Sequence, residues 1–306
     1  MSSNKNISGH LSAIISVIIW GTTFISTKVL LRTFTPVEIL VCRFVIGFIA
    51  LFLIQPKGVK NKTLGQEALF AAAGLCGVTL YFLFENIALT YTTASNVGVI
   101  VSTSPFFIAL FSMLFFKGEK LTVQFFIGFI AAISGIALIS FEGSKNFSIN
   151  PMGDILALLS AMVWAFYSHI TRKISKYGFT IIYSTRKIFS YGIIFMIPAM
   201  LLMPFDLRWE KFTQPVNVLN ILYLGFGACA LCFVIWNFAL KRLGTFKTSV
   251  YIYMVPVITV ITSVIVLNEK ITSLSVCGIV LTLAGLFLSE RPFKPKEEKP
   301  EKIQKI

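Results

Sequence analysis

The chain is short of charge for its length. Of its 306 residues, 13% are charged and 56% are hydrophobic, and its mean hydropathy is +0.82. A soluble globular domain carries about 25% charged residues, so this composition excludes an ordinary soluble domain. The net charge of +14 reflects 27 basic against 13 acidic residues. Without a soluble basic face to carry that charge, we expect no nucleic-acid partner.

Residues that build catalytic or metal sites are also scarce. The chain has two histidines and five cysteines, and all five cysteines fall in apolar runs. Cys229 and Cys232 have the C-x-x-C spacing, but a metal site needs further ligands and a redox site needs an exposed thiol, so we interpret them as small packing residues. A membrane enzyme also needs a nucleophile–base pair or paired carboxylates at depth. We therefore expect no catalytic residue, no metal and no cofactor.

Two classes of membrane protein lack their sequence signatures. The chain has no G-x-x-x-x-G-K-[ST] motif, which argues against pumping driven by its own ATP hydrolysis. It also has no repeated filter loop or ring of like residues, which argues against a channel. A receptor or scaffold stays open as an alternative.

Long apolar runs are what the sequence has in abundance. Ten runs have about 20 residues each, the length of helix that crosses about 30 Å of hydrocarbon. They span approximately residues 11–31, 37–55, 68–89, 94–116, 123–141, 153–174, 179–203, 216–240, 248–267 and 273–289. The first run continues without a small-residue cleavage site, so we interpret it as a retained span. The sequence predicts an all-α integral membrane protein with ten transmembrane helices.

The distribution of basic residues predicts the orientation. With the N-terminus inside, eighteen of the 27 Lys and Arg residues lie on the cytoplasmic side and six on the outer side. Basic residues accumulate in cytoplasmic loops. We therefore predict a multi-pass protein of the plasma (cell) membrane with both termini in the cytoplasm. Residues 291–306, which are polar and proline-punctuated, are predicted to form a disordered cytoplasmic tail.

The chain contains an internal repeat. Four pairs of identical residues recur in the same order, 144 to 151 residues apart. The pairs are Trp20 and Trp164, Asn86 and Asn237, Pro105 and Pro256, and Glu119 and Glu269. Because each copy holds five spans, an odd number, the two copies are inverted relative to each other, and such repeats place a binding site near the membrane midplane. We assign the repeats to residues 9–141 and 151–290.

Several short motifs carry a resemblance to a known family. They are Trp20-Gly21-Thr22-Thr23-Phe24, Arg43-Phe44, Ala88-Leu89-x-Tyr91-Thr92-x-Ala94-Ser95, Pro105 and Gly118-Glu119, repeated more loosely as Trp164, Ala239-Leu240, Pro256, Asn268-Glu269 and Gly278. In this pattern the sequence resembles the EamA-type family of the drug/metabolite transporter superfamily. The resemblance implies a ten-helix inverted-repeat fold and transport of small organic molecules, commonly export of amino acids or related metabolites. The second half departs from the pattern at Ala165, which stands where the first half has Gly21.

Two charged residues inside spans are candidates for substrate binding or coupling. A charge at a helix centre costs about 2.5–3.5 kcal/mol on insertion scales, so a charged residue in a span indicates a functional or structural role. Arg43 lies about two turns into the second span and either anchors an anionic substrate group or extends toward the lipid head groups. Glu85 either carries a coupling proton or binds a substrate ammonium group, although it lies near enough to the outer end to reach water. Glu38, closer to an interface, is interpreted as structural.

The remaining candidates are polar, aromatic or kink-forming residues. Pro105 and Pro256 interrupt matched spans and favour paired helices that line a cavity, with Ser102 beside the first. Trp20 and Trp164 lie well inside their spans and either form a stacking surface for a ligand or only pack. Asn86 and Asn237 favour hydrogen bonds between helices over ligand contact. Asn96 either begins the fourth helix or faces the cavity.

Together these patterns predict a secondary-active transporter. We expect an exporter of small organic metabolites such as amino acids, which alternates access around a central cavity. An uptake carrier for another metabolite class, or a non-transport receptor or scaffold, remains the alternative. The expected partners are a small-molecule substrate and the lipid bilayer. Glycines in the fifth and tenth spans favour close helix contact and a possible homodimer.

Overall fold

Helices form most of the chain that can be described. The computed structural model describes residues 2–58, 63–115, 123–142, 151–244, 248–269 and 272–289, and these ranges contain no strand. Within them ten long helices follow one another: α1 (Ser2–Leu30), α2 (Pro36–Ile54), α3 (Leu64–Tyr91), α4 (Ala94–Phe115), α5 (Val123–Glu142), α6 (Pro151–Ser175), α7 (Ile181–Leu202), α8 (Pro215–Leu243), α9 (Val255–Leu267) and α10 (Ser273–Ser289). Residues 291–306 and Glu119 lie outside the described residues.

Seven of these helices are long and apolar enough to cross a membrane by length and composition, namely α1 to α4 and α6 to α8. The other three contain shorter apolar stretches, Val123–Gly135, Tyr251–Leu267 and Val276–Gly285. Large apolar side chains such as Leu53 and Leu201 are exposed on the surface, as expected where a helix faces lipid rather than water. The chain is a multi-pass helical membrane protein.

The start of α2 shows how the sequence fixes a helix boundary. Thr35 precedes Pro36, and its hydroxyl accepts the N–H of Glu38 at 3.3 Å while its own N–H donates to the Glu38 carboxylate at 2.9 Å. This reciprocal arrangement is a capping box. The fully buried Glu38 carboxylate also binds Nζ of Lys211 at 2.8 Å. Glu38 therefore holds the start of α2 to the α7–α8 connection.

The two halves depart from regular α-helix at matched places. A π-helical segment occupies Leu75–Leu80 in α3, and another occupies Tyr223–Leu231 in α8, with their last residues 151 apart. In the first half, α4 breaks just before Pro105, and the Ser104 hydroxyl donates to the Val101 carbonyl at 2.6 Å, replacing the N–H that proline lacks.

In the second half, a 3₁₀ segment, Val250–Met254, lies just before Pro256 at the equivalent point of α9. Pro105 thus follows a break between two α-helical segments, and Pro256 follows a change from 3₁₀ to α-helix. The sequence predicts these two interruptions because proline cannot continue an α-helical hydrogen-bond ladder.

Glycines bring α5 and α10 into close contact. A Cβ added to Gly135 would lie 2.5 Å from the carbonyl oxygen of Gly278, and one added to Gly285 would collide with the carbonyl of Gly128. Backbones can approach this closely only where side chains are absent. The predicted close helix contact is therefore present within one chain, and dimerisation stays a prediction.

Polar contacts sort the helix ends into two sets. At one end, Lys28 of α1 binds the carbonyl of Leu89 near the end of α3. At the opposite end, Arg186 near the start of α7 binds the carbonyl of Gln55, which follows α2. We call these the Lys28 end and the Gln55 end. The sequence predicts that the Lys28 end is outer and that the Gln55 end is cytoplasmic.

Candidate functional site

A cavity lies where helices of the two halves meet. It holds about 450 Å³ of empty space, part of it open to solvent, and it is lined by α1, α3, α4, α6 and the start of α9. Its lining residues are Trp20, Thr23, Phe24, Tyr81, Phe82, Glu85, Val101, Trp164, Ile252 and Val255. The lining is aromatic and apolar, with one carboxylate. This is the composition of a pocket for a small organic molecule.

The two repeated tryptophans meet in one wall of this cavity. The rings of Trp20 and Trp164 are 5.5 Å apart between centroids and nearly perpendicular, and Tyr81 lies 4.9 Å from Trp164. The Trp20 indole N–H donates to the carbonyl of Ala228, in the π-helical segment of α8, at 3.1 Å. Aromatic faces held this rigidly attract cations and stack against rings. The structure shows these side chains packed against one another in the cavity lining, and their contact with a ligand stays a prediction.

Glu85 is the carboxylate of the cavity. It lies in α3 one helical turn after Tyr81, its side chain is 1% exposed, and its Oε1 atom has no hydrogen-bond partner. The Tyr81 hydroxyl is close enough to interact with it. A buried carboxyl oxygen without a partner is unfavourable unless something else satisfies it. This site is therefore suited to a ligand donor or to a proton.

Arg43 lies behind the cavity wall and is equally buried, at 1% exposure. Its Nε donates to the sulfur of Cys229 at 3.2 Å, and its guanidinium carbon lies 4.2 Å from the ring centroid of Phe82. Both of its terminal nitrogens lack hydrogen-bond partners. Glu85 interacts with it electrostatically, but within the described residues no carboxylate lies within 4.0 Å of its nitrogens. Arg43 is thus a buried cation without a direct ion pair within the described residues.

Several predicted residues lie away from the cavity lining. The Ser102 hydroxyl is fully buried and donates to the carbonyl of Val99 at 2.6 Å, so it supports the break in α4. Pro105 and Pro256 are buried at the interruptions of their helices. In the described part of the chain, these three residues shape the helices around the cavity and do not line it.

Asn86 and Asn237 make equivalent bonds between helices. Asn86 Nδ2 donates to the Pro36 carbonyl at 3.0 Å, which joins α3 to the start of α2. Asn237 Nδ2 donates to the Thr185 hydroxyl at 3.2 Å, which joins α8 to α7. Each bond links the third helix of a half to the second, the symmetric role expected for repeat mates.

A second cavity lies between α6, α7 and α8 at the Gln55 end. It holds about 520 Å³ of empty space, part of it open to solvent. Its lining residues are Thr171, Arg172, Ile174, Ser175, Phe179, Ile181, Ser184, Ile188, Asn237, Leu240 and Lys241. Asn237 therefore also faces a cavity, whereas its mate Asn86 does not.

Asn96 takes part in closing the Lys28 end. Its Nδ2 donates to the Thr92 hydroxyl at 2.9 Å and to the Asp154 carboxylate at 2.5 Å, which joins the start of α4 to the start of α6. Asn96 is buried, and it is not among the residues that line either described cavity. Of the two roles expected for it, the structure shows the one at the start of the fourth helix.

Sequence reasoning did not identify Glu269 as a site residue. Its carboxylate accepts the N–H groups of Ala94 and Ser95 at 2.9 and 3.3 Å and the Ser95 hydroxyl at 2.6 Å. The Ser95 hydroxyl also contacts that of Ser263 in α9 at 2.6 Å. The first N–H groups of a helix have no intrahelical partner and attract negative charge, so Glu269 caps α4 from the second half of the chain. The Glu119 and Glu269 pair marks this residue in the sequence, but spacing alone does not indicate which helix it caps.

We predict that Glu269→Gln lowers the free energy of unfolding by about 1–2 kcal/mol, because the amide has one acceptor oxygen and no charge for the start of α4. Thermal melting of the purified protein measures this change. Glu210→Gln, which removes an exposed carboxylate, is the matched control and is expected to melt like the unmodified protein. Equal melting temperatures for the two variants would contradict the capping role.

Comparisons with known proteins support a transport role. Residues 7–141 and 151–291 each match the model of the EamA-like transporter family. An uncharacterized transporter of Archaeoglobus fulgidus is 29% identical over 92% of this chain and 96% of its own length. A "probable amino-acid metabolite efflux pump" of Escherichia coli K12 is 25% identical over 90% of this chain and 93% of that protein. A "probable terminal-alkyne amino-acid exporter" of Streptantibioticus cattleyicolor is 24% identical over 91% of this chain and 92% of that protein.

A solved structure supports the fold alone. A protein crystal structure superposes with a TM-score of 0.65, covering 92% of this chain and 96% of that chain at 18% identity. The family match and the names of the relatives indicate transporters rather than enzymes. The resemblance seen in the sequence motifs is confirmed.

Proposed function

The chain belongs to the EamA-like transporter family, and from this premise we propose that it is a secondary-active exporter of small zwitterionic metabolites such as amino acids. The substrate occupies the aromatic cavity, and access to that cavity alternates between the two sides of the membrane. The substrate carboxylate binds Arg43, and its ammonium group binds Glu85 and the neighbouring aromatic rings.

The observation that carries this proposal is a pair of opposite, incompletely satisfied charges, Glu85 in the cavity lining and Arg43 behind the cavity wall at Phe82. Arg43 has two terminal nitrogens without partners, and Glu85 has one oxygen without a partner. Two such groups buried in one protein interior would normally pair with each other. Because they do not form an ion pair within the described residues, both keep hydrogen-bonding capacity for a molecule that carries a carboxylate and an amine. Trp20 and Trp164 add an aromatic surface beside the carboxylate.

We further propose ten membrane crossings, arranged as two inverted five-helix repeats over residues 9–141 and 151–290. The matched π-helical segments, the matched interruptions before Pro105 and Pro256, and the equivalent bonds of Asn86 and Asn237 support this arrangement. The accumulation of basic residues on one side of the predicted spans supports placing both termini in the cytoplasm, and we propose the cell membrane as the location. Residues 291–306 would then form a cytoplasmic tail.

The direction of transport is proposed from the relatives. Two of them are named for efflux or export of amino-acid compounds, and both align over most of this chain. Export requires that the cavity load its substrate from the cytoplasmic side. The second cavity, which is partly open, lies at the Gln55 end, and an opening at that end is compatible with entry from the cytoplasmic side.

The test is a ligand screen followed by a flux measurement. Thermal melting of the purified protein is measured with amino acids, with the matched acids that lack the amine, and with the matched amines that lack the carboxylate. A ligand that binds only the folded state raises the melting temperature. We expect the zwitterions to raise it most, and the same compounds to show saturable counterflow in proteoliposomes.

Two outcomes would contradict this proposal. Stabilisation by a different chemical class alone would indicate another substrate. Stabilisation by zwitterions without any flux would indicate a receptor rather than a carrier.

A further inference from the structure

The two halves differ at one matched pair of cations. Thr27-Lys28 in α1 and Thr171-Arg172 in α6 are 144 residues apart, the same spacing as the repeated tryptophans. The two cations therefore occupy equivalent positions in the proposed repeats. Lys28 lies at the Lys28 end of the molecule, and Arg172 lies at the Gln55 end.

Lys28 is bound to the end of a helix. Its ammonium group donates to the carbonyl of Leu89 and, at 2.7 Å, to the carbonyl of Thr92, which follows α3 directly. The last carbonyls of a helix have no intrahelical partner and carry partial negative charge, so a cation there is favourable. Thr27, the preceding residue, is completely buried. The crevice between α1 and α3 is thus closed at this end.

Arg172 has not made the equivalent contact. It is exposed and lines the second cavity, and its guanidinium group has no hydrogen bond or ion pair with any residue that the structure describes. Leu240, which matches Leu89 at a spacing of 151, lines the same cavity near the end of α8. The second half therefore has an open cavity of about 520 Å³ at the position where the first half has a closed contact.

We propose that Lys28 and Arg172 are repeat-related gate residues, each of which closes its own end of the protein by binding the C-terminal carbonyls of the third helix in its half. The structure represents the state in which the Lys28 contact is made and the Arg172 contact is open. In the opposite state Lys28 leaves α3, and Arg172 binds the carbonyls of Leu240 and Leu243 in α8. This inference rests on the alternating access proposed above.

The surrounding charges agree with a contact that can be made and broken. Glu269 is the carboxylate that interacts with Lys28, and it also caps the start of α4. Lys28 is thus held by neutral carbonyls and by one carboxylate that has other donors, with no direct ion pair within the described residues. A direct buried ion pair would cost more to separate than this arrangement does.

The experiment measures which end is open. Thr27→Cys and Thr171→Cys place one thiol in each crevice, and the full-length protein is reconstituted in lipid nanodiscs, which expose both faces. A charged, membrane-impermeant thiol reagent is added, and labelling is quantified peptide by peptide. The native cysteines are thereby separated from the engineered ones.

We expect Thr171→Cys to label faster than Thr27→Cys in the otherwise unmodified protein. Adding Lys28→Ala is expected to increase labelling of Thr27→Cys by about two- to fivefold, the range that a charge at a helix terminus contributes. Lys28→Arg is expected to keep that labelling low. Adding Arg172→Ala is expected to decrease labelling of Thr27→Cys by a similar factor, because the state closed at the Gln55 end loses its contact.

The controls are neighbouring cations without a repeat-matched contact, Arg32→Ala and Lys173→Ala. If Lys28→Ala and Arg172→Ala change labelling no more than these controls do, the gate inference is wrong and both cations are structural. Arg172 is exposed, so its variant tests the inference even if Lys28→Ala does not fold. Substrate flux is measured in parallel. If the protein transports substrate but Lys28→Ala and Arg172→Ala do not change labelling, only the gate inference is wrong. If labelling changes as expected but no substrate is transported, only the proposed transport function is wrong.

Discussion

Arg43→Met is expected to abolish the stabilisation of the protein by zwitterions while leaving its own melting temperature unchanged or higher. Losing one partner of a buried, hydrogen-bonded charge pair costs about 2–5 kcal/mol of binding, or about 1.5 to 3.5 orders of magnitude in affinity. Methionine keeps the packing against Phe82. It also removes a buried cation whose terminal nitrogens have no hydrogen-bond partner within the described residues, so the cost of burying those unsatisfied groups disappears. Thermal melting with and without ligand measures both effects.

Arg186→Met is the matched control. Arg186 is also a buried arginine, but its guanidinium binds the carbonyls of Gln55 and Lys57, at the end of α2 and in the connection that follows. Its loss should therefore lower the melting temperature and leave the relative affinities of acids, amines and zwitterions unchanged. If Arg43→Met lowers the melting temperature by as much and still binds zwitterions, Arg43 is structural and the proposed carboxylate site is wrong.

The helices were the most predictable part of the structure. The apolar runs predicted α2 as residues 37–55 and α10 as residues 273–289, and the structure has Pro36–Ile54 and Ser273–Ser289. Helix boundaries depend on local signals such as the Thr35 capping box, so sequence alone can specify them. The prolines likewise predicted the break in α4 before Pro105 and the change from a 3₁₀ segment to α9 just before Pro256.

The π-helical segments could not be predicted, because an apolar run that contains Leu75–Leu80 has the same composition in an α-helix and in a π-helix. The hydrogen-bond partners of individual polar residues could not be predicted from the sequence either. Glu269 caps a helix that begins 175 positions earlier in the chain, and nothing local to either segment specifies that pairing. Arg43 was recognised as a candidate because a charge is costly in a membrane span, but the lack of hydrogen-bond partners for its terminal nitrogens within the described residues depends on tertiary structure.

Glu85→Gln is expected to produce the opposite selectivity to Arg43→Met. Glutamine keeps the shape of the side chain but removes the charge that attracts an ammonium group, so amines and zwitterions should lose about 2–5 kcal/mol of binding. Acids that lack the amine should bind as before, because Arg43 is intact. Arg43→Met should in turn spare the amines. Melting curves with the three matched ligand classes compare the two variants directly.

Glu38→Gln supplies the control for Glu85, because Glu38 is an equally buried carboxylate whose oxygens are fully engaged by Lys211 and backbone N–H groups. It should lower the melting temperature without altering ligand selectivity.

The alternative role of Glu85, carrying a coupling proton, makes a different prediction. Under that role, Glu85→Gln removes the pH dependence of flux in proteoliposomes and leaves the binding of all three ligand classes unchanged. Selective loss of amine binding would therefore assign Glu85 to the substrate, and loss of pH dependence alone would assign it to coupling.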